Sequence, residues 1–260
     1  MSFGKGYLAD PRGHLYTSAE RLVGAASATG AGGASKVDLG RHSPGVLNQR
    51  GSSACVGFAK MAARYVTLRS RGIPEELQSP AWAYKIGLAV DRAGFDVPLR
   101  DEGSMPNQVV RGIQEWGTLP AVEYPFDEKT LVAEPTVFEL EKASRANEVG
   151  WRTLRTRAAA LVADLRRALA ANFAPTFAIQ VDRAFEDHAG RGELGAMRGA
   201  SLGGHMLFLV GYDTLASGAT VFVLQNSWGT SWGDGGFARV TEAFVARMSF
   251  VSLPSPLKAS

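Results

Sequence analysis

Leu47-Asn48-Gln49-Arg50-Gly51-Ser52-Ser53-Ala54-Cys55-Val56-Gly57-Phe58-Ala59 begins as a polar loop rich in glycine and serine and ends apolar. That change predicts a loop running straight into a helix over about 54–70, with Phe58, Ala62, Tyr65 and Val66 on one face and Arg69-Ser70-Arg71-Gly72 closing it. Cys55 then falls in the first helical turn, where unpaired N–H groups and the positive end of the helix dipole favour a thiolate. A purely structural cysteine belongs more naturally in the middle of a helix or strand. Six residues upstream, the Gln49 side-chain amide can donate a hydrogen bond to a developing oxyanion.

Working outward, a second helix is predicted from Ser79-Pro80, an N-cap followed by proline, to about residue 93. A third starts near Ser104, carries Val109, Ile113 and Trp116, and stops at Gly117. After a fourth, about 158–171, the pattern changes to strand-like runs at 175–182, 205–212, 219–225 and 235–240. Helices first and strands later predict an α+β fold of two lobes with a ligand cleft between them.

A thiol nucleophile needs a base, and the chain has four histidines: His14, His42, His188 and His205. His205 follows Gly203-Gly204 and opens an apolar strand, which suits a ring reaching into a cleft. His188 lies in a Gly- and charge-rich stretch and reads as loop surface, as do His14 and His42. Gln225-Asn226-Ser227-Trp228-Gly229-Thr230-Ser231-Trp232-Gly233 comes next. Asn226 can orient an imidazole there, and an indole can keep water off that bond.

In these blocks the chain resembles the papain-family (C1) cysteine peptidases. Gln49 with Cys55 and Phe58-Ala59 is similar to the nucleophile block, Gly204-His205 with Leu207–Tyr212 to the histidine block, and Asn226–Phe237 to the asparagine block. Glu102-Gly103-Ser104-Met105-Pro106 and Glu123-Tyr124-Pro125-Phe126 are weaker matches, so the resemblance spans about 37–250. Ser52 stands where the family usually has a disulfide cysteine and Val56 where an aromatic follows the nucleophile, both as in the bacterial, disulfide-poor branch.

The resemblance implies a helical N-terminal lobe and an antiparallel, β-barrel-like C-terminal lobe. It implies Cys55 as nucleophile, His205 as general base and then acid, Asn226 as orienter, Trp228 as shield, and Gln49 with the Cys55 N–H as oxyanion hole. It also implies that Gly103 and Ser104 pair with substrate backbone and that Met105, Ile179 and Met206 line an apolar pocket. Such a pocket favours a hydrophobic residue two positions before the scissile bond. The expected activity is that of an endopeptidase on peptide or protein substrates, with no metal or cofactor. A papain-fold acyl-transfer effector, either deamidase or transglutaminase-like, and a catalytically silent binding module are the alternatives.

Composition bounds the rest. The 260 residues are 45% hydrophobic and 20% charged, with a net charge of +3, which is ordinary globular chemistry. No block of basic residues points to nucleic acid, and no apolar stretch is long enough for a membrane helix. The single cysteine excludes an internal disulfide. Residues 1–36 read as a leader or short pro-segment whose 24–35 stretch is a Gly/Ala/Ser linker, and 37–260 as the peptidase domain. The resemblance implies that this leader, anchored by Phe3, Tyr7, Leu8, Leu15 and Tyr16, folds back over the cleft as a short latch; packing on the back of a lobe and disorder are the alternatives. No secretory signal is visible, so a cytoplasmic location is the expectation, with signal-less secretion as the other route.

Overall fold

The computed structural model describes residues 3–9, 33–90, 98–143 and 150–255. Residues 24–32 of the expected 24–35 linker, together with His14, Leu15 and Tyr16, lie outside the described residues. In chain order the elements are β1 (Lys36–Asp38), α1 (Cys55–Ser70), α2 (Pro80–Ala89), α3 (Pro106–Trp116), α4 (Val137–Ala143), β2 (Gly150–Leu154), α5 (Ala158–Ala170) and β3 (Thr176–Val181). They continue with α6 (Arg183–Glu186), β4 (Glu193–Leu194), β5 (Gly203–Thr214), β6 (Thr220–Gln225), β7 (Phe237–Thr241), α7 (Glu242–Val245) and β8 (Ser249–Ser255).

Local chemistry sets the helix starts. The Ser79 side chain accepts from the Trp82 N–H at 3.0 Å and Pro80 takes the first helical position, so α2 begins as predicted. The third helix starts two residues later than expected. Pro106 fixes its first turn, and the Gln108 side chain accepts the Met105 N–H at 2.9 Å.

The strands make one open sheet in the order β2-β8-β3-β5-β6-β7-β4, with β1 added beside β5. The pairs are antiparallel except β4 with β7. The sheet is open, with β2 and β4 at opposite ends of its order, and its almost wholly antiparallel pairing agrees with the barrel-like C-terminal lobe that the resemblance implied.

Two apolar cores meet at α1. Ala62, Ala63 and Val66 face the sheet cluster with Leu165, Phe177, Phe208 and Trp232. Ala54 to Ala59 and Met61, apart from Gly57, join the helical cluster with Trp82, Tyr84, Ile86, Val109 and Ile113. α1 is thus the shared wall of both lobes, and Cys55 is placed where the lobes part.

Candidate active site

The loop before α1 is tied to the loop that follows β6. Gln49 N–H donates to Ser227 O at 2.8 Å, and Gly229 N–H donates to Leu47 O at 3.1 Å. The Ser227 hydroxyl donates to Gln49 Oε1 at 2.7 Å, which leaves Nε2 of Gln49 as the amide's donor end. That Nε2 reaches Ser52 O at 2.8 Å and Gly4 O at 3.2 Å. Ser52 closes the loop on itself, its hydroxyl donating to Gln49 O at 2.7 Å.

His205 sits on β5 opposite Ile179 of β3 and is fully buried. Its Nε2 lies 2.8 Å from Asn226 Oδ1, and the same oxygen accepts the Ser227 N–H at 2.8 Å. Oδ1 is therefore an acceptor, so His205 donates through Nε2–H and keeps its lone pair on Nδ1. Nδ1 is buried with no hydrogen-bond partner among the described residues. The Trp228 ring stacks on His205 at 4.5 Å between centroids and covers the His205–Asn226 pair.

Cys55 is fully buried and receives backbone hydrogen bonding from Met206, the neighbour of His205, and from Gly6. Burial pushes its thiol up to about 11, against the lowering effect of those hydrogen bonds. Burial likewise pushes His205 down to about 4, opposed by Asn226 and assisted by the nearby Lys5 charge. The dipole-stabilised thiolate expected from the sequence is thus not favoured in this covered cleft: desolvation outweighs the helix end.

The cover is the chain's own residues 3–8. Phe3 stacks flat on Trp228 at 4.4 Å. Trp228 Nε1 donates to Gly4 O at 3.2 Å, and Lys5 pairs with Glu186 on α6. Ser104 N–H donates to Gly6 O at 2.7 Å, Leu8 N–H to Ser104 O at 3.0 Å, and Tyr7 N–H to Gly204 O at 3.2 Å. Gly103 has φ +90°, and a Cβ there would lie 2.4 Å from Gly6 O. The backbone approach at this edge therefore requires glycine.

Met206 and Ile179 are fully buried, the first in the helical cluster and the second in the sheet cluster, while Met105 is half-buried before α3. A trough of about 700 Å³ beside Tyr7 and Ala9 is lined by residues of 153–158 and by Met248, Phe250 and Val251. Among the described residues no group of three or more His, Cys, Asp or Glu is assembled for a metal. Sequence reasoning missed Ser227, although it stands beside Asn226 in the quoted block. It also missed Tyr84, Asp101, Gly4 and Gly6, which carry no local signal.

The model of the papain family of cysteine proteases matches residues 101–250, more than half of the chain. This chain belongs to the papain family. The match takes in His205 and Asn226 and begins beyond Gln49 and Cys55. Fruit bromelain of Ananas comosus is 43% identical to this papain-family chain over 36 residues, 14% of the chain and 10% of that protein. Cathepsin B-like CP1 of Giardia intestinalis is 42% identical over 40 residues, 15% of the chain and 13% of that protein. These matches span only about a tenth of the length of the curated relatives. Xylellain, a cysteine protease from Xylella fastidiosa, shares the fold with a TM-score of 0.71 at 20% identity, covering 98% of this chain and 97% of that one.

Proposed function

We propose that this papain-family chain hydrolyses peptide bonds through Cys55, His205 and Asn226, and that residues 3–8 hold the cleft shut. In this reading the Cys55 sulfur attacks the carbonyl carbon while His205 Nδ1 takes the thiol proton and later gives it to the leaving amine. Water then hydrolyses the thioester. Gln49 Nε2 and the Cys55 N–H receive the oxyanion. The observation that carries this is the oriented imidazole: Asn226 holds Nε2–H at 2.8 Å, which leaves the basic nitrogen free in a site that also holds the thiol.

The latch rests on backbone contact. Gly6 is held at the edge by its carbonyl, which accepts the Ser104 N–H at 2.7 Å, and its backbone contributes hydrogen bonding to Cys55. The apolar side chains of Met105, Ile179 and Met206, which the resemblance assigns to the pocket, support a preference for a hydrophobic residue two positions before the cut.

The test is a panel of fluorogenic dipeptide amides with the full chain, its Gly6→Val variant and each of these with Cys55→Ala. Turnover is expected with Gly6→Val, hydrophobic residues leading, and none with Cys55→Ala. Gln49→Ala is expected to lower kcat about 10²–10³-fold. Ammonia release from glutamine peptides without backbone cleavage would replace the peptidase by a deamidase.

A further inference from the structure

We infer that the Asp101 carboxylate and the Tyr84 hydroxyl form a polar staple that sets the gap between the nucleophile loop and the substrate edge. This rests on reading Cys55 as nucleophile and Gly103-Ser104 as the edge that pairs with substrate. The two walls of the cleft come from loops about 50 residues apart in sequence. Cys55 is the sole cysteine of the chain, so no disulfide can join them.

The geometry supplies another joint. Ser53 N–H, two residues before the thiol, donates to both oxygens of Asp101, at 2.9 and 3.1 Å. Tyr84 of α2 donates its hydroxyl to Asp101 Oδ1 at 2.7 Å. The Tyr84 oxygen in turn accepts the Gly103 N–H at 3.0 Å. Reading across, Ser53 N–H, the Asp101 carboxylate, the Tyr84 hydroxyl and the Gly103 N–H form one continuous chain from the nucleophile loop to the edge.

Each group has a reason to hold. Tyr84 is buried in the helical core, so its ring is a fixed post. A charged acceptor on a phenol gives a strong hydrogen bond, and the polarised hydroxyl becomes a better acceptor for Gly103. Gly103 needs the post. Its φ of +90° is a conformation that glycine does not choose strongly over others, and its neighbour Ser104 must present N–H and C=O at fixed height to whatever fills the cleft. Asp101 and Tyr84 are positioning residues, because neither touches the reacting atoms.

The staple is tested in the full-length protein by comparing two substrates. A dipeptide amide reaches the Gly103-Ser104 edge; a p-nitrophenyl ester of one blocked amino acid reaches Cys55 only. Both compete with residues 3–8 equally, so the ratio of their kcat/KM values does not depend on how often the cleft is open. Tyr84→Phe is expected to lower that ratio about three- to tenfold, through KM of the dipeptide, as loss of one hydrogen bond would. Asp101→Ala is expected to do the same, and Asp101→Asn, which keeps the Oδ1 acceptor, to fall between it and the parent. Hydrogen exchange is measured on the same proteins: the Gly103 amide should lose protection in Tyr84→Phe and the Ser53 amide in Asp101→Ala. An unchanged ratio, or equal losses on both substrates, would overturn the staple. If neither the parent nor its Gly6→Val variant hydrolyses either substrate, the catalytic reading fails, and unchanged Gly103 and Ser53 exchange in the variants would then overturn the staple by itself.

Discussion

Two glycines let the N-terminal segment approach the thiol. A Cβ on Gly4 would stand 1.8 Å from Ser52 O, and one on Gly6 would stand 1.7 Å from Ser53 O. Neither wall atom can retreat, because both belong to the hydrogen-bonded loop before α1. Gly6→Val should therefore expel residues 3–8 without shortening the chain, and raise the rate of Cys55 alkylation by iodoacetamide at least tenfold at neutral pH. Equal rates in parent and variant would remove the latch from the proposal. The pH profile carries the same information with its sign. A thiol at about 11 is ionised to roughly one part in 10⁴ at pH 7, so the parent's alkylation rate should climb about tenfold per pH unit from 7 toward 10. Opening the cleft rehydrates Cys55 and His205, lowers the first and raises the second, and should flatten that climb in Gly6→Val.

At the scale of elements, α1 carries a buried amine with no carboxylate partner among the described residues. Lys60 is fully buried on this helix, with its ammonium 3.8 Å from the Trp151 ring centroid and 3.3 Å from Ser252 Oγ. Burial holds its pKa well below 10.5. The unfolded chain then binds a proton that the folded chain refuses, so this group's contribution to stability rises with pH from that depressed value up to 10.5. Lys60→Met should stabilise the protein by about 1–3 kcal/mol, the cost of a poorly partnered buried polar group, with a gain that shrinks as pH approaches 10.5. Denaturant melts at pH 7 and pH 10 check both the size and the trend.

The same helix shows what the sequence could reveal. Its start, its length and the place of Cys55 followed from a loop-to-helix change in composition, and the strands around His205 from apolar runs. β8 did not, because Ser252 and Pro254 interrupt any alternation and only its partners on both sides make it a strand. The site was legible where neighbours in sequence are neighbours in space, as with Asn226, Ser227 and Trp228. It was not legible where a hydrogen bond spans the chain, as from Tyr84 to Asp101, or where a glycine matters for what lies opposite it.

For the molecule as a whole, the single cysteine separates stability from activity. No disulfide holds the lobes together, so adding reductant should leave Tm unchanged in a calorimetric scan. Turnover, by contrast, should depend on reductant, because a lone reactive thiolate, reached whenever the cleft opens, oxidises. A rise in Tm on reduction of monomeric protein would contradict this.

The position of β8 in the sheet bears on how the protein comes into being. β2 pairs with β8, and β8 also lines the flank of β3, yet it begins at residue 249 while β2 ends at residue 154. During synthesis, β2 must wait for a partner made almost a hundred residues later, and one flank of β3 stays open as an unpaired edge while the chain grows from Val181 to Ser249. Such an edge invites pairing with the wrong chain. A ribosome-stalled chain ending at residue 248 should accordingly remain sensitive to a probing protease, and one extended by a further 40 residues of linker past 255 should become resistant. The cleft would then form only after β8 has left the exit tunnel, which delays any thiol chemistry until that strand is in place.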